Sequence, residues 1–300
     1  MSVLNHGEAQ FDTAVQKRQS ACRKVPAAHQ GFAMFAFLIG SAVLGPALVP
    51  YDPLATNASR ALEPPSAAHW FGTDNLGRDV FSRVIVATRL DLIISVAAVA
   101  LSFVAGSVLG AIAGYKGGWT DIVLNRCLDT IMAFPLFVLA MGIVAALGNS
   151  VANIIYATAI INIPFYARLV RAEVNIRREA GFTLAAKLAG NSDARVLAFH
   201  IFPNALPPMM VQVSLNLGWA ILNAAGLSFI GLGVRPPTAE WGIMVAEGAN
   251  FIVSGEWWLA LFPGAALMLA VFCFNFYSYI VPCSVYVQDQ IIKNLLRLQA

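Results

Sequence analysis

FTLAAKLAGNSDARVLAFHIFPNALPP, Phe182 to Pro208, decides the reading of this chain. It carries Lys187, Asp193, Arg195 and His200 between two strongly apolar blocks and ends in Pro203, Pro207 and Pro208. A short charged stretch flanked by such blocks has to sit outside whatever the blocks sit inside. Thr183 to Ala189 favours a helix, and Gly190-Asn191 is a good C-terminal stop. Ser192 or Asp193 can cap a second short helix reaching His200, after which the prolines set the start of the next apolar block. Ala185, Ala186 and Ala189 are too small to fill a core and would let another surface approach the backbone.

Working outward, the flanking blocks are membrane spans. The chain has 300 residues, 58% of them hydrophobic and 12% charged, whereas soluble domains are about a quarter charged. A spanning helix needs roughly 20 mainly apolar residues. Spans are predicted at Gly31 to Val49, Asp91 to Tyr115, Asp121 to Leu147 with Pro135 inside, and Val151 to Val170 with Pro164 inside. Two more run from about Leu206 to Gly233 and from Trp257 to about Val281. The expected fold is therefore all-α and polytopic, with six transmembrane helices. Its expected layout is a cytoplasmic tail at 1–30, a first span at 31–50, an outer segment at 51–90, a five-helix core at 91–281 with a cytoplasmic loop at about 171–205, and a tail at 282–300.

Of the 19 lysines and arginines, Arg60, Arg78, Arg83, Arg89 and Arg235 fall on one side of this layout. The rest share a side with the N-terminus, so both termini and the opening stretch are expected inside a bacterial inner membrane. The polar N-terminal stretch is followed by an apolar run without a small-x-small site, which predicts an uncleaved anchor. Cys22, Cys127, Cys273 and Cys283 show no metal-like spacing with the histidines, so they read as buried or reduced thiols and no metal is expected. No basic run with interleaved aromatics points to nucleic acid.

The sequence has no GxxxxGKS or GxxxxGKT, no HExxH and no GxSxG, so no catalytic residue and no cofactor is expected in this chain. Arg126 and Asp129 can share a helix face, as a local ion pair or as part of a transport path. Gln212, Asn216, Trp219 and Asn223 form a narrow stripe at about 100° per residue. Lipid would not tolerate it. It serves either interhelical hydrogen bonding or the lining of a polar passage.

The outer segment contains HWFGTDNLGRDVFSR, His69 to Arg83. Asp74–Arg78 and Asp79–Arg83 have the acid-before-base spacing that favours pairing on a helix, and Val80, Phe81, Val84 and Ile85 suit an interfacial helix. Gly72, Thr73, Asp74, Gly77, Arg78, Asp79 and Arg83 read as an outer gate or assembly element rather than as solute contacts. Trp241, Trp257 and Trp258 are placed as interface anchors. Glu240, Glu247 and Glu256 would either meet a partner or an ammonium group, or form a solvated rim.

Several of these stretches carry a resemblance. AAKLAG followed by AFHIFPN resembles the cytoplasmic EAA loop of permease subunits in bacterial ABC importers. FGTD, GRD, GLSFIGLG and EWG are similar to the peptide and nickel importer family, in particular its C-type permease, and PPSAAHWFGTD and IPFYARL are most similar to the D,D-dipeptide branch. The resemblance implies the permease fold of type I ABC importers. It also implies that the opening stretch is a coupling helix docking on a separate ATPase subunit. Leu184, Ala185, Ala186, Lys187, Gly190, Asp193, Arg195 and His200 are then the coupling residues, with Ala185, Ala186 and Gly190 in the EAA-x3-G pattern and Pro203-Asn204 closing it. Implied partners are a B-type permease, two ABC ATPases holding ATP and Mg, an extracytoplasmic solute-binding protein and membrane lipid. Implied cargo is di- or oligopeptides, with nickel complexes or glutathione as family alternatives; a secondary transporter is the alternative from another class. Leu184 stands where the family commonly has Glu, and the sequence after Phe274-Asn275 departs from the family's usual end.

Overall fold

The computed structural model describes residues 27–276, with side chains from Ala33 onward. Among the described residues there are helices and loops and one isolated bridge, between Thr73 and Asp79. Helix α1, Ala27–Leu48, is followed by a long outer segment. Then come α2, Val80–Lys116, α3, Gly118–Met132, α4, Leu136–Leu147, and α5, Val151–Arg178. Helices α6, Gly181–Leu188, and α7, Asp193–Val196, form the charged loop. Helix α8, Phe202–Phe229, α9, Trp241–Ala249, and α10, Trp258–Phe276, complete the chain.

Four stretches are long and apolar enough to cross a membrane: Val80–Lys116, Val151–Arg178, Asp193–Phe229 and Trp258–Phe276. The pair α3 and α4 makes a fifth if counted as one span, and the apolar part of α1, Ala33–Leu48, is shorter than the others. The expected end of the last span near Val281, the tail at 282–300 and residues 1–26 of the N-terminal tail lie outside the described residues, while 27–30 already belong to α1.

Three expectations are corrected. The predicted span Asp121 to Leu147 is bent by 86°. The break falls at Ala133 to Pro135, and proline, lacking an N–H, opens α4 instead of continuing α3. Second, Val80 to Ile85 is no separate interfacial helix. Asp79 Oδ2 accepts from Ser82 N at 2.8 Å, so this cap starts α2 eleven residues before the predicted span. At 1.5 Å per residue α2 is about 55 Å long, well beyond a hydrocarbon core of about 30 Å. Third, the arm from Asp193 does not stop at His200. A π turn at Leu197–Ile201 carries it into α8 as one run. Pro203 follows closely on this π turn, so the ladder is already irregular where its missing N–H interrupts it.

Helices α2 and α5 form the centre. A Cβ on Gly106, Gly110 or Gly114 would come within 2.6, 2.3 and 2.8 Å of α5 atoms at Tyr166, Ala167 and Arg171. Glycine every fourth residue keeps one face of α2 flat, so the backbones meet, which is how helices pack where lipid removes the hydrophobic drive. The outer core joins Leu38, Val80, Val84, Ile221, Trp241 and Phe274. A second cluster, with Ile94, Val144, Ile154 and Leu227, packs α4 against α5 and α8. At the other end of α5, Val170, Val174, Ala186, Val196, Ile201 and Met209 form a separate cluster under the charged loop.

Candidate functional site

The charged loop is held to the bundle by its inner face. Thr183 and Ala186, three residues apart on α6, are buried. Thr183 Oγ1 donates to Arg177 O at 2.8 Å, and Asn191 Nδ2 donates to Ala186 O at 2.9 Å. Gly190 takes φ +82°, the left-handed conformation that ends α6. Tyr115, near the end of α2, donates its hydroxyl to Asp193, and Lys187 Nζ lies 5.1 Å from the Tyr115 ring centre and 3.7 Å from Asp193. The outer face is apolar. Phe182, Leu184 and Leu188 are exposed, Leu188 at 90%, with Ala185 and Ala189 beside them and Phe199 exposed on the second arm. Arg195 is exposed, and His200 is half-buried with its carbonyl taken by Asn204 Nδ2 at 2.7 Å. Ala186 is thus not part of a surface that another protein can approach. Its small side chain packs in the cluster with Val174, Val196 and Ile201 beneath the loop.

The amide stripe makes hydrogen bonds along its own helix, although Asn216 Nδ2 is buried without a hydrogen-bond partner. Gln212 Nε2 donates to Asn216 Oδ1 at 3.0 Å, and Asn223 Nδ2 donates to Trp219 O at 2.9 Å. Asn216 and Asn223 are buried while Trp219 is exposed, so the four share a side of α8 but not one environment.

The outer motif folds as a turn rather than a helix. Asp74 Oδ1 accepts from Leu76 N and Arg78 N, each at 2.9 Å, and its Oδ2 meets Arg78 Nε at 2.5 Å. Gly77 has φ +69°, and a Cβ there would lie 1.9 Å from Asn57 O. Thr73 Oγ1 donates to Arg60 O at 2.5 Å and accepts from Glu63 N at 2.8 Å. The glycine beside it, Gly72, also has positive φ. Asp74–Arg78 pairs as predicted; Asp79–Arg83 does not. Asp79 caps α2 and meets His69 Nδ1 at 2.8 Å. Arg83, 1% exposed, reaches Pro53 O at 3.3 Å and Pro237 O at 3.4 Å, with Asp74 at 3.7 Å and Glu247 at 3.9 Å. Trp258 Nε1 closes the ring on Thr73 O at 3.3 Å. The motif therefore ties the outer segment to α2, α9 and α10.

The EWG stretch works in the same place. Glu240 is fully buried, not on a rim, and caps α9 by accepting from Gly242 N and Ile243 N, each at 2.9 Å. Burial pushes its carboxyl above the usual range. The third N–H of that turn, Trp241 N, goes to Asp91 Oδ2 at 3.2 Å. Trp241 is buried and donates its indole N–H to Val84 O at 3.0 Å. Trp258 is buried too, and of the three predicted anchors only Trp257 is exposed. A Cβ on Gly242 would sit 2.3 Å from Ala225 O, so only glycine lets α9 lie on α8. Glu247 is half-buried and faces Arg78 and Arg83. Asp129 pairs with Arg168 of α5 at 2.6 Å instead of Arg126, and Arg171 of α5 pairs with Asp121. The role of Asp91 was not foreseen: it reads as the first residue of a span until its partner 150 residues away is known. Of the described cysteines, Cys273 is buried and Cys127 exposed, both as free thiols.

The comparisons agree with this architecture. A family profile described as binding-protein-dependent transport system inner membrane component matches residues 106–282. The chain is 45% identical over 236 residues to a probable D,D-dipeptide transport system permease protein of Escherichia coli (strain K12), covering 79% of each. It is 45% identical over 234 residues to a dipeptide transport system permease protein of Alkalihalophilus pseudofirmus, covering 78% of this chain and 77% of the relative. It is 40% identical over 228 residues to a nickel transport system permease protein of Escherichia coli (strain K12), covering 76% and 82%. A helical bundle with membrane-length apolar helices, a capped outer clasp and a short charged loop with an apolar outer face is thus joined to a family match over more than half its length, and the chain belongs to the inner-membrane permease components of binding-protein-dependent transport systems.

Proposed function

We propose that the chain forms one permease half of an ATP-driven ABC importer of di- or oligopeptides, and that α6 is its coupling helix. The observation that carries this reading is the exposed apolar surface of α6, with Leu184 and Leu188 on one face and Phe182 at the helix start. These are large apolar side chains, exposed on an eight-residue helix that is anchored firmly on its other side. Such a face outside the spans fits a groove on another protein. Around it, Lys187, Asp193, Arg195 and His200 supply the polar rim. ATP and Mg would be held by two partner ATPases, and closure of those ATPases would move the bundle through α6 as a rigid body. A second, B-type permease would complete the path, with Gln212, Asn216, Trp219 and Asn223 on its wall, and a solute-binding protein would deliver the cargo. The loop and both termini would then be cytoplasmic. The outer clasp, from Gly72 to Arg83, would be an assembly and gating element.

The test is affinity purification of the tagged chain in mild detergent with quantitative mass spectrometry. A second permease and ATPases should accompany the native chain, and the ATPases should be lost from Leu188→Arg, while the variant keeps its thermal midpoint. Recovery of the ATPases with Leu188→Arg would overturn the coupling reading. The nickel relative favours a second cargo, nickel complexes, and uptake of labelled dipeptide against labelled nickel by the complete system separates the two.

A further inference from the structure

Beside the outer clasp lies a cavity of about 180 Å³ lined by Pro50, Tyr51, Trp70, Asp79 and Phe81. Its walls are pre-organised. Tyr51 donates its hydroxyl to Ala68 O at 3.0 Å and its ring lies 4.6 Å from that of His69. The Trp70 and Phe81 rings meet edge-on at 4.8 Å. Asp79 is 3% exposed and fixed by Ser82 N and His69 Nδ1. A carboxylate only accepts, so the His69 Nδ1–H is the donor in that pair. The His69 Nε2 is buried without a hydrogen-bond partner, and no lysine or arginine among the described residues pairs with Asp79. Three aromatic rings lining a cavity with a carboxylate that lacks a strong counter-charge suit an organic ammonium group.

Size and place narrow the ligand. The cavity has the volume of about six waters and falls below the roughly 300 Å³ at which pockets begin to enclose whole small molecules. It suits a head group, not a peptide. Pro50 lies two residues past Leu48, where α1 ends, and Tyr51 and Trp70 are exposed as aromatics at a membrane boundary are. An aromatic belt alone would explain the rings, but not the buried carboxylate between them. We propose that this cavity binds the ammonium head of a zwitterionic phospholipid, phosphatidylethanolamine, and so fixes the outer end of α1 and the start of α2 against the membrane. The site is separate from the coupling loop and does not depend on the cargo.

The test uses the full chain in its detergent-purified complex, titrated by native mass spectrometry with phosphatidylethanolamine, its N-acetylated derivative and phosphatidylglycerol. Phosphatidylethanolamine should bind at least fivefold tighter than either of the others. Trp70→Leu and Tyr51→Leu, both at exposed positions, should each weaken it by about fivefold with unchanged thermal midpoints, the scale of one lost cation–aromatic contact. Asp79→Asn should weaken it further, and the two aromatic variants keep the test decisive if that one loses its helix cap. Equal binding of the N-acetylated lipid, or no change in Trp70→Leu and Tyr51→Leu, would overturn the proposal. Competition by free ethanolamine at the lipid's own concentration would make this a site for a soluble amine and overturn the lipid assignment.

Discussion

The outer clasp and the α6 loop are both short, polar-looking stretches between apolar helices, yet they are built in opposite ways. In the clasp the charges are inside: Arg78, Arg83 and Asp79 are almost fully buried, and Asp74 nearly so, each with partners a few ångströms away. In the loop the charges are outside with Leu188 and Leu184, and Thr183, Ala186 and Val196 are the residues that point inward. Buried charge held by partners from several elements makes a rigid joint, because losing one partner leaves the other stranded in a low-dielectric interior. Exposed apolar side chains do the reverse and leave a surface whose free energy falls only when something covers it.

The largest expected effect breaks the clasp. Asp74→Ala would leave Arg78 and Arg83 facing Glu247 alone, at 3.7 and 3.9 Å, and should cost about 3 kcal/mol or more. It would be read as a large drop in thermal midpoint and loss of the monodisperse peak in size-exclusion chromatography. A thermal midpoint within a degree of the native chain would mean the clasp is not the rigid joint described. The next effect is smaller. Trp241→Phe keeps an aromatic ring but removes the indole N–H from Val84 O and part of the buried volume, and should cost about 2 kcal/mol in the same assay. Asp129→Asn, on a pair whose side chains are 49% and 45% exposed, should cost no more than about 1 kcal/mol and become harder to detect as salt rises.

The sequence made the spans legible because lipid demands long apolar runs, and the loop legible because charge among them is conspicuous. Its helix stop at Gly190 was also readable. What it hid were choices between near-equal partners. Spacing pairs Asp79 with Arg83 and Arg126 with Asp129 equally well on paper; the fold gives Asp79 to a helix cap and Asp129 to Arg168 across 39 residues. Pro135 announced a disturbance but not whether it would kink a helix or end one. The glycines at 106, 110 and 114 have the spacing of a close helix contact, but only the fold shows that α5 is the helix they meet. Ala186 shows the opposite error: its size suggested an open face, while its three-residue spacing from Thr183 puts it on the inward one.

That error sets up the sharpest form of the comparison. Ala186→Arg would force a long cation into the cluster of Val170, Val174 and Ile201, so its failure to bind a partner would say nothing about docking. Leu188→Arg acts at a side chain 90% exposed, and its effect on the stability of the chain alone should be within about 0.5 kcal/mol. Its effect on assembly should be nearly complete, because a cation would then have to be buried in an apolar groove. Measured side by side, the two variants separate a face that packs from a face that docks. If Leu188→Arg lowers the thermal midpoint as much as Ala186→Arg does, α6 is core on both sides, and the contrast between loop and clasp disappears.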